Sequence, residues 1–263
     1  MPLAALIFDV DGTLADTERQ GHRVAFNQAF AEAGLDWNWD EALYGELLHV
    51  AGGKERMRYF IERYRPALPV DCTDLGGFLA HVQEIKSRRY VELTARRAIT
   101  PRPGVVRLLQ EAHAANLRLA IATTTTQRNV EALLGWAFPA GAAEWFEVIG
   151  AGDIVANKKP APDIYRHVLN RLGLPAERCL AIEDSAPGLR AAHGADLPTL
   201  ISVNDYTRNH DFRGAELVVD QFGEPASPLT VLDDPLNVAP HATIDIPLLG
   251  RLHQSWLERP TSH

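Results

Sequence analysis

An aspartate pair stands where the first hydrophobic run of the chain ends. Residues 3–8 are apolar, and residues 9–13 read Asp-Val-Asp-Gly-Thr. Asp9 can present a carboxylate oxygen as a nucleophile at the strand end, and Asp11 can reach the same ligand from the following loop. A carboxylate that attacks phosphorus forms an aspartyl phosphate, which is a recognised form of covalent catalysis. The pair therefore favours phosphoryl transfer as the chemistry of this protein.

Such chemistry requires a cation. Two carboxylates repel a phosphate dianion by about 4 kcal/mol for each pair of unit charges at ~4 Å and an effective dielectric constant of ~20. A divalent cation offsets this repulsion, and oxygen ligands together with a phosphate favour Mg²⁺. Later hydrophobic runs end in groups that would complete the site. These are the acidic pair Glu183-Asp184, the hydroxyls of Thr123 to Thr126, and the cations Lys158 and Lys159.

Each of these parts, taken alone, also has a plainer interpretation. The Asp-x-Asp-Gly pattern occurs in calcium loops, but the first ligand of an EF-hand would then be Ile7, inside an apolar strand. The Glu183-Asp184 pair could cap a helix. The threonine run could belong to an ordinary loop, and the two lysines could be a solvated charge run. Their occurrence together along one chain favours a functional site.

Elements that could position these residues follow from the hydrophobic pattern. Short apolar runs cover residues 3–8, 117–122, 147–151, 179–182, 197–203 and, weakly, 217–219. Helical spacing covers residues 105–115, 127–134 and 163–172, and Ser185 can cap a helix that runs to His193. Gly135 and Gly173 are expected to end two of these helices. Strands that alternate with helices predict an α/β fold, with a Rossmann-like parallel sheet core and helices on both faces.

The stretch from residue 18 to residue 96 breaks this alternation and shows helical spacing only. Ligands bind at the carboxyl ends of strands in parallel sheets, so a helical insert after the first strand would cover the site as a cap domain. We expect a core of residues 1–17 and 97–223, a cap of residues 18–96, and a C-terminal extension of residues 224–263. Leu248, Leu252 and Trp256 in the extension have the spacing of a short docking helix, with a dimer contact as the alternative.

The composition excludes several classes of protein. The chain has 26 Lys and Arg against 34 Asp and Glu, a net charge of −8, which argues against non-specific binding of nucleic acid or of an anionic membrane. Apolar runs fall short of the ~18–20 residues of a membrane span, and the start of the chain lacks the basic segment of a signal peptide. Cys72 and Cys179 are too few for a disulfide framework. We expect a cytoplasmic protein that is a monomer or a weak dimer.

The four strand-end motifs together resemble those of the haloacid dehalogenase-like hydrolases. The resemblance rests on Asp9-x-Asp11-Gly-Thr, Thr123, Lys159 and Glu183-Asp184 with Gly188. It covers residues 3 to 220, with the spacing of the subgroup that has a helical cap between the first two motifs. It implies that Asp9 is the nucleophile and Asp11 the general acid and base, and that Thr123 and Lys159 bind phosphate. Mg²⁺ would be held by Asp9, the carbonyl of Asp11 and Asp184, with Glu183 beside it.

The cap loop narrows the resemblance. Residues 52–56 read Gly-Gly-Lys-Glu-Arg and resemble the specificity loop of the CbbY-type phosphatases, which remove a phosphate from xylulose-1,5-bisphosphate. Residues 206–208 resemble the same group. Lys54, Arg56 and Lys86 would then hold the second phosphate of a small phosphorylated sugar. The substrate-binding residues expected from the resemblance are Glu18, Gly52, Gly53, Lys54, Arg56, Lys86, Thr123, Thr124, Asn129 and Lys159.

One position departs from the related sugar-phosphate mutases of the β-phosphoglucomutase type. Those enzymes place a histidine twelve residues after the nucleophile, whereas here that residue is Gly21 and His22 follows. His22 is either a shifted equivalent or a histidine on a helix face without a catalytic part, because its ordinary pKa suits both. A mutase, a phosphatase for another small ester such as phosphoglycolate, and a non-catalytic phosphate-binding regulator are the alternatives. The presence of all four motifs argues against the regulator.

Overall fold

A central sheet carries the apolar runs of the sequence. The computed structural model describes residues 2–69, 73–238 and 242–259, so Cys72 lies outside it. The strands in these ranges form one seven-stranded sheet in the order β3-β2-β1-β4-β5-β6-β7, parallel except for β7. They are β1 Ala5–Phe8, β2 Arg118–Thr123, β3 Phe146–Ala151, β4 Cys179–Glu183, β5 Thr199–Ser202, β6 Leu217–Val219 and β7 Val231–Asp233.

Helices separate most of these strands, and one helix follows them. Between β1 and β2 lie α1 Arg23–Glu32, α2 Glu41–Leu47, α3 Gly53–Tyr64, α4 Leu75–Ala95 and α5 Val105–Ala114. The later helices are α6 Gln127–Ala137, α7 Asp163–Leu172, α8 Ala186–His193 and α9 Ile246–Leu257. The expected fold class is confirmed: a Rossmann-like α/β core that carries a helical insert.

The central strand explains why the apolar runs are continuous. All four side chains of β1 are buried. Leu6 and Phe8 pack into one hydrophobic cluster, and Ala5 and Ile7 pack into another on the opposite face of the sheet. A strand covered on both faces requires apolar residues at every position rather than at alternate ones.

The helical insert has a hydrophobic core of its own. Aromatic rings dominate it, since Phe26, Phe30, Trp37, Trp39 and Phe60 pack within one cluster. Ring centroids of Phe26 and Trp39 lie 4.7 Å apart, and those of Phe30 and Trp39 lie 4.8 Å apart. Asp40 and Asp74 cap α2 and α4 by accepting hydrogen bonds from Leu43 and Gly77. The insert can therefore act as one body placed on the sheet edge.

Two helix ends test the boundaries expected from the sequence. Helix α7 ends where expected, because Gly173 adopts the left-handed conformation at its end. Helix α6 does not end at Gly135, and that expectation was wrong. It continues to Ala137 and ends at Phe138, whose extended backbone precedes Pro139. A residue before proline avoids the helical conformation, whereas a glycine inside a helix costs only about 1 kcal/mol.

The C-terminal extension packs against the core. Leu248 and Leu252 of α9 are buried in the main hydrophobic cluster. The sequence pattern did not predict β7, which pairs antiparallel with β6 at the edge of the sheet. Arg107 of α5 donates hydrogen bonds to the carbonyl oxygens of Phe222 and Ile244 at 3.2 and 2.9 Å. None of the described helices is long and apolar enough to cross a bilayer.

Candidate active site

Three carboxyl groups meet at the point where the order of strand addition in the sheet reverses. The chain builds β2 and β3 on one side of β1 and then β4 and β5 on the other, and ligands bind at such a switch point. The amide of Asp9 donates to the carbonyl of Ile182 at 2.9 Å, which places the ends of β1 and β4 side by side. Asp9, Glu183 and Asp184 are buried, and each offers an oxygen within 4.8 Å of the others.

A single ammonium group lies among these carboxylates. Lys159 Nζ donates to Asp9 Oδ1 and to Glu183 Oε1, both at 2.6 Å, and to the carbonyl of Ala122 at 2.8 Å. The hydroxyl of Tyr165 donates to the same oxygen of Glu183 at 2.7 Å. Burial raises the pKa of Asp9 to about 8, with Lys159 opposing this shift and Glu183 adding to it. One ammonium therefore does not balance the charge of the cluster.

The excess of carboxyl groups over ammonium groups in this cluster suits a divalent cation that prefers oxygen ligands. Burial, together with the charges of Asp9 and Glu183, raises the pKa of Asp184 well above its usual range. Oxygen donors in this arrangement suit Mg²⁺, and a nearby divalent cation would favour the ionised form of each carboxyl. The absence of a side chain at Gly12 leaves room for the Asp184 carboxylate, because a Cβ on Gly12 would lie 2.5 Å from Asp184 Oδ2.

Asp11 belongs to a separate buried network. Thr17 Oγ1 donates to Asp11 Oδ1 at 2.7 Å, and His22 Nε2 lies 2.7 Å from the same oxygen. Lys86 Nζ lies 2.7 Å from His22 Nδ1. Because an ammonium can only donate, Nδ1 is the acceptor and Nε2 carries the hydrogen that is shared with Asp11. Lys86 of the cap is thereby linked through His22 to Asp11 of the core.

The pKa values of Asp11 and Lys86 in this network are both lowered, for different reasons. Burial would raise the pKa of Asp11, but the contact with His22 and the hydrogen bond from Thr17 lower it to about 2. Burial lowers the pKa of Lys86 to about 8, against the opposing charges of Asp11 and Glu18. Asp11 is therefore ionised near neutral pH, and His22 and Lys86 hold the protons closest to it.

A π-helical turn explains how His22 reaches Asp11. Residues Glu18–His22 form this turn directly before α1, and such turns accommodate one extra residue relative to an α-helix. His22 is buried and stacks on Tyr90 with ring centroids 4.3 Å apart. Position 21 is tightly packed, since a Cβ on Gly21 would lie 2.7 Å from Ile99 Cδ1 and 3.0 Å from Tyr90 Cε2. The contact with Asp11 is made by the following residue, His22.

The cap contributes a second chain of polar contacts. Arg56 Nη1 donates to the hydroxyl of Tyr44 at 3.1 Å, and that hydroxyl donates to Glu18 Oε2. The guanidinium of Arg56 also lies over the Tyr44 ring, 5.3 Å from its centroid. The ammonium of Lys86 lies 4.9 Å from the ring centroid of Phe26. Aromatic faces thus hold two cap cations inside the protein.

The threonine run follows β2 at the same edge of the sheet. Thr123 is buried and accepts a hydrogen bond from the amide of Thr125 at 3.3 Å. Thr126 caps α6. Asn129 Nδ2 donates to Thr125 Oγ1 at 3.2 Å and does not line the cleft. A role for Asn129 in contacting substrate therefore stays a prediction.

One cleft brings most of the expected residues together. We call Asp9, Thr123, Glu183 and Asp184 at the strand ends, together with Lys159 on the loop after β3, the core wall, and we call Glu18, Lys54, Arg56 and Lys86 the cap wall. Glu183 is fully buried behind Lys159 and does not line the cleft. The expected residues that do line it are Asp9, Asp11, Glu18, Gly52, Gly53, Lys54, Arg56, Lys86, Thr123, Thr124, Lys159 and Asp184.

Some residues of the cleft were absent from the expected set. Asn204 Nδ2 donates to Asp184 Oδ2 at 2.6 Å. It follows the apolar run 197–203, so its place at the same sheet edge was available as a signal. Asp153 also lines the cleft, beside Lys158, which the sequence had offered as a cation together with Lys159. A single exposed aspartate in a loop carries no such signal, because only the folded structure shows what lies opposite.

Known proteins resemble this chain over most of its length. The family profile described as haloacid dehalogenase-like hydrolase matches residues 3–196. The chain is 46% identical over 261 residues to plasmid-encoded Protein CbbY of Cupriavidus necator, which covers 98% of this chain and 100% of that protein. It is 48% identical over 222 residues to Protein CbbY of Cereibacter sphaeroides, with 84% and 94% of the two chains covered.

A solved structure agrees with these relatives. The crystal structure of a single aspartate-to-asparagine mutant of CbbY from Rhodobacter sphaeroides, in complex with xylulose-(1,5)-bisphosphate, superposes with a TM-score of 0.78. That protein is 46% identical to this chain, and the match covers 83% of this chain and 94% of that one. The family expected from the motifs is confirmed.

Proposed function

Because the chain belongs to the haloacid dehalogenase-like hydrolases, we propose that it is a Mg²⁺-dependent phosphatase that converts xylulose-1,5-bisphosphate to xylulose-5-phosphate. The observation that carries the proposal is the meeting of Asp9 with Glu183, Asp184 and Lys159 under a cap wall that holds three cations. The carboxylates suit a metal and a nucleophile, and the cap cations suit a second anionic group. The complex of CbbY with xylulose bisphosphate supports this choice of sugar.

Asp9 is the proposed nucleophile. One of its oxygens forms a bond to phosphorus while the bond from phosphorus to the sugar oxygen breaks, which leaves an aspartyl phosphate. Lys159, 2.6 Å from Asp9 Oδ1, orients the carboxylate and faces the transferring phosphoryl group. Asp9, the carbonyl of Asp11 and Asp184 would hold Mg²⁺, with Glu183 beside it. When bound, Mg²⁺ neutralises charge on the phosphate and favours the ionised form of Asp9.

Asp11 is the proposed general acid and base. It protonates the leaving sugar oxygen, and later takes a proton from the water that attacks the aspartyl phosphate. With a pKa of about 2, Asp11 is ionised before substrate binds. The arriving phosphate dianion raises that pKa, because like charges disfavour ionisation. The proton then comes from His22 Nε2, 2.7 Å away, while His22 Nδ1 takes a proton from the Lys86 ammonium. His22 stays neutral, and Lys86 is a neutral amine until the proton that Asp11 takes from water returns along the same path.

The cap wall is proposed to select the substrate. Lys54, Arg56 and Lys86 supply positive charge opposite the core wall, and Glu18 supplies an acceptor for a sugar hydroxyl. The partner is a small phosphorylated sugar, and the expectation that the protein binds neither nucleic acid nor a membrane stays a prediction. The cytoplasmic location and the monomeric or weakly dimeric state expected from the sequence stay predictions.

Phosphate release from a panel of sugar monophosphates and bisphosphates, with Mg²⁺ and with EDTA, tests the proposal. We expect Mg²⁺-dependent release that is concentrated on xylulose-1,5-bisphosphate. Release spread evenly over the panel would keep the chemistry and contradict the proposed substrate. A mutase would instead convert the sugar phosphate to an isomer without releasing phosphate, which analysis of the sugars in the same reactions detects.

A further inference from the structure

A cluster of four charges joins the cap to the core at the rim of the cleft. Lys54 Nζ lies 2.7 Å from Asp153 Oδ2, and Lys158 Nζ lies 2.9 Å from Asp153 Oδ1. Lys158 Nζ also lies 3.0 and 3.1 Å from the two carboxylate oxygens of Glu55. Lys54 and Glu55 belong to α3 of the cap, whereas Asp153 and Lys158 belong to the loop that follows β3.

The carboxylate of Asp153 lies between two ammonium groups, at a position where an anionic ligand could also bind. Each of its oxygens accepts from a different lysine, one on the cap and one on the core. These contacts hold its pKa at about 2. The Asp153 side chain is nevertheless 60% exposed, so its carboxylate can return to water at little cost. The two lysines therefore form an anion site that is filled by a weakly held group of the protein itself.

Lys158 is held in place more firmly than an ordinary surface lysine. Its side chain is only 15% exposed, and Glu55 accepts from its ammonium with both oxygens. The backbone of Gly52 makes room for it, since a Cβ on that residue would lie 2.7 Å from Lys158 Nζ and 2.2 Å from Glu55 Oε2. Gly52 also has a positive φ of 92°. The specificity loop is thus shaped around the Lys158 ammonium.

We infer that Lys54 and Lys158 together form the subsite for the second phosphate of the substrate, and that Asp153 fills this subsite until the substrate displaces it. The neighbouring residue Lys159 contacts Asp9, so one short loop supplies a cation to the reacting phosphate and another to the second phosphate. A phosphate dianion carries more charge and more acceptor oxygens than a carboxylate, and therefore replaces it. The inference rests on the proposed bisphosphate substrate.

Two variants break the same ion pair and test the inference by the sign of their effects. Lys158→Gln removes a ligand of the phosphate, so we expect the KM for xylulose-1,5-bisphosphate to rise about tenfold. Asp153→Asn removes the competing anion, so we expect that KM to fall severalfold. The KM for 4-nitrophenyl phosphate, which has a single phosphate, should stay within about twofold of the wild-type value in Asp153→Asn, and Lys158→Gln should change it several times less than it changes the KM for the bisphosphate.

Two controls accompany these variants. Lys158→Arg keeps the charge and should largely restore the KM for the bisphosphate. Arg213→Gln breaks the exposed ion pair with Asp211, outside the cleft, and should leave both substrates unaffected. The dissociation constant of the bisphosphate in an Asp9→Asn background provides a readout that does not depend on turnover.

The outcomes separate the inference from the proposed function. If both variants shift the KM for the bisphosphate in the same direction, the ion pair only holds the cap to the core, and the inference is wrong. Unchanged values in both variants, with the wild-type preference for the bisphosphate intact, also overturn it. If the wild-type protein handles xylulose-1,5-bisphosphate no better than a monophosphate, the proposed substrate fails, and the second-phosphate subsite fails with it.

Discussion

The core wall and the cap wall of the cleft differ in charge and in how they are held. The core wall has three carboxyl groups at strand ends joined by backbone hydrogen bonds, and one ammonium group, that of Lys159, on the loop that follows β3. The cap wall has three cations and one carboxylate, which lie on helices and are held by side-chain contacts such as Arg56 with Tyr44. The charged pairs of the core wall, Lys159 with Asp9 and Lys159 with Glu183, each lie 2.6 Å apart and are buried.

This difference indicates that the core wall carries out the reaction and that the cap wall selects the substrate. A sheet fixes the positions of strand-end side chains through the backbone, so the reacting groups keep their geometry when side chains elsewhere change. The cap positions depend on pairs of side chains, some of them exposed, and such pairs are weak. Substitutions in the core wall should therefore remove turnover with every substrate, whereas substitutions in the cap wall should change the choice between substrates.

The largest effect is expected at the nucleophile. Asp9→Asn removes the attacking carboxylate, and we expect kcat to fall at least about a thousandfold with every substrate. The fold should persist, because the amide has the same shape and removes one charge from a crowded acidic cluster. Circular dichroism and thermal unfolding check the fold, and phosphate release checks turnover. Turnover near the wild-type rate would contradict the proposed mechanism.

A glycine behind the core wall should be the next most sensitive position. Gly188→Ala would put a Cβ about 2.0 Å from the buried Glu183 carboxylate, which must then shift away from Lys159 and Tyr165. We expect unfolding to become easier by about 2 kcal/mol, with lower activity on all substrates. Gly135→Ala is a matched control on α6, since its Cβ would meet nothing within 4 Å. It should stabilise the protein slightly or leave it unchanged. Equal effects of the two substitutions would contradict the tight packing of Glu183.

The exposed cation of the cap wall should affect one class of substrate only. Lys54→Ala is expected to raise the KM for xylulose-1,5-bisphosphate about tenfold or more, because a charge-assisted contact to the second phosphate is lost. The KM for 4-nitrophenyl phosphate should hardly change. Initial rates over a range of both substrates measure this difference. Equal changes for both would mean that Lys54 does not contact the second phosphate.

The smallest expected effect is the change of kcat/KM with pH. Burial lowers the pKa of Lys86 from its ordinary value of 10.5 to about 8, so its charge is present at neutral pH and lost as the pH rises through 8. We expect kcat/KM for the bisphosphate to fall about tenfold between roughly pH 7 and pH 9. Lys86→Arg keeps its charge over this range and should lack that fall. A wild-type profile that is flat to pH 9 would contradict the assignment.

The motifs and the strands were predictable because they depend on local pattern. Continuous apolar runs such as 3–8 and 179–182 require a strand that is covered on both faces. Because parallel strands bring their carboxyl ends to one edge, the residues that follow them could be expected to meet there. Asp9, Thr123 and Asp184 are examples, and the structure brings all three into one cleft.

Other features depend on contacts between distant parts of the chain. The sequence left open whether His22 takes part in the site or lies on a helix face without a catalytic part. The folded structure shows that the π-helical turn brings His22 to Asp11. The end of α6 was misplaced because a glycine in a helix is tolerated. The strand β7 shows no alternation, and it forms because it pairs antiparallel with the edge strand β6.

The sequence by itself determined the fold class, the family and the chemistry of the core wall. Each of these follows from residue types in a fixed order along short segments that end in the same sheet edge. Only the tertiary structure decided how the cap meets the core. Asp153 and Lys54 are 99 positions apart in the chain, yet their charged atoms lie 2.7 Å apart. Nothing in either local segment encodes that pairing, because it depends on the orientation of one packed body against another.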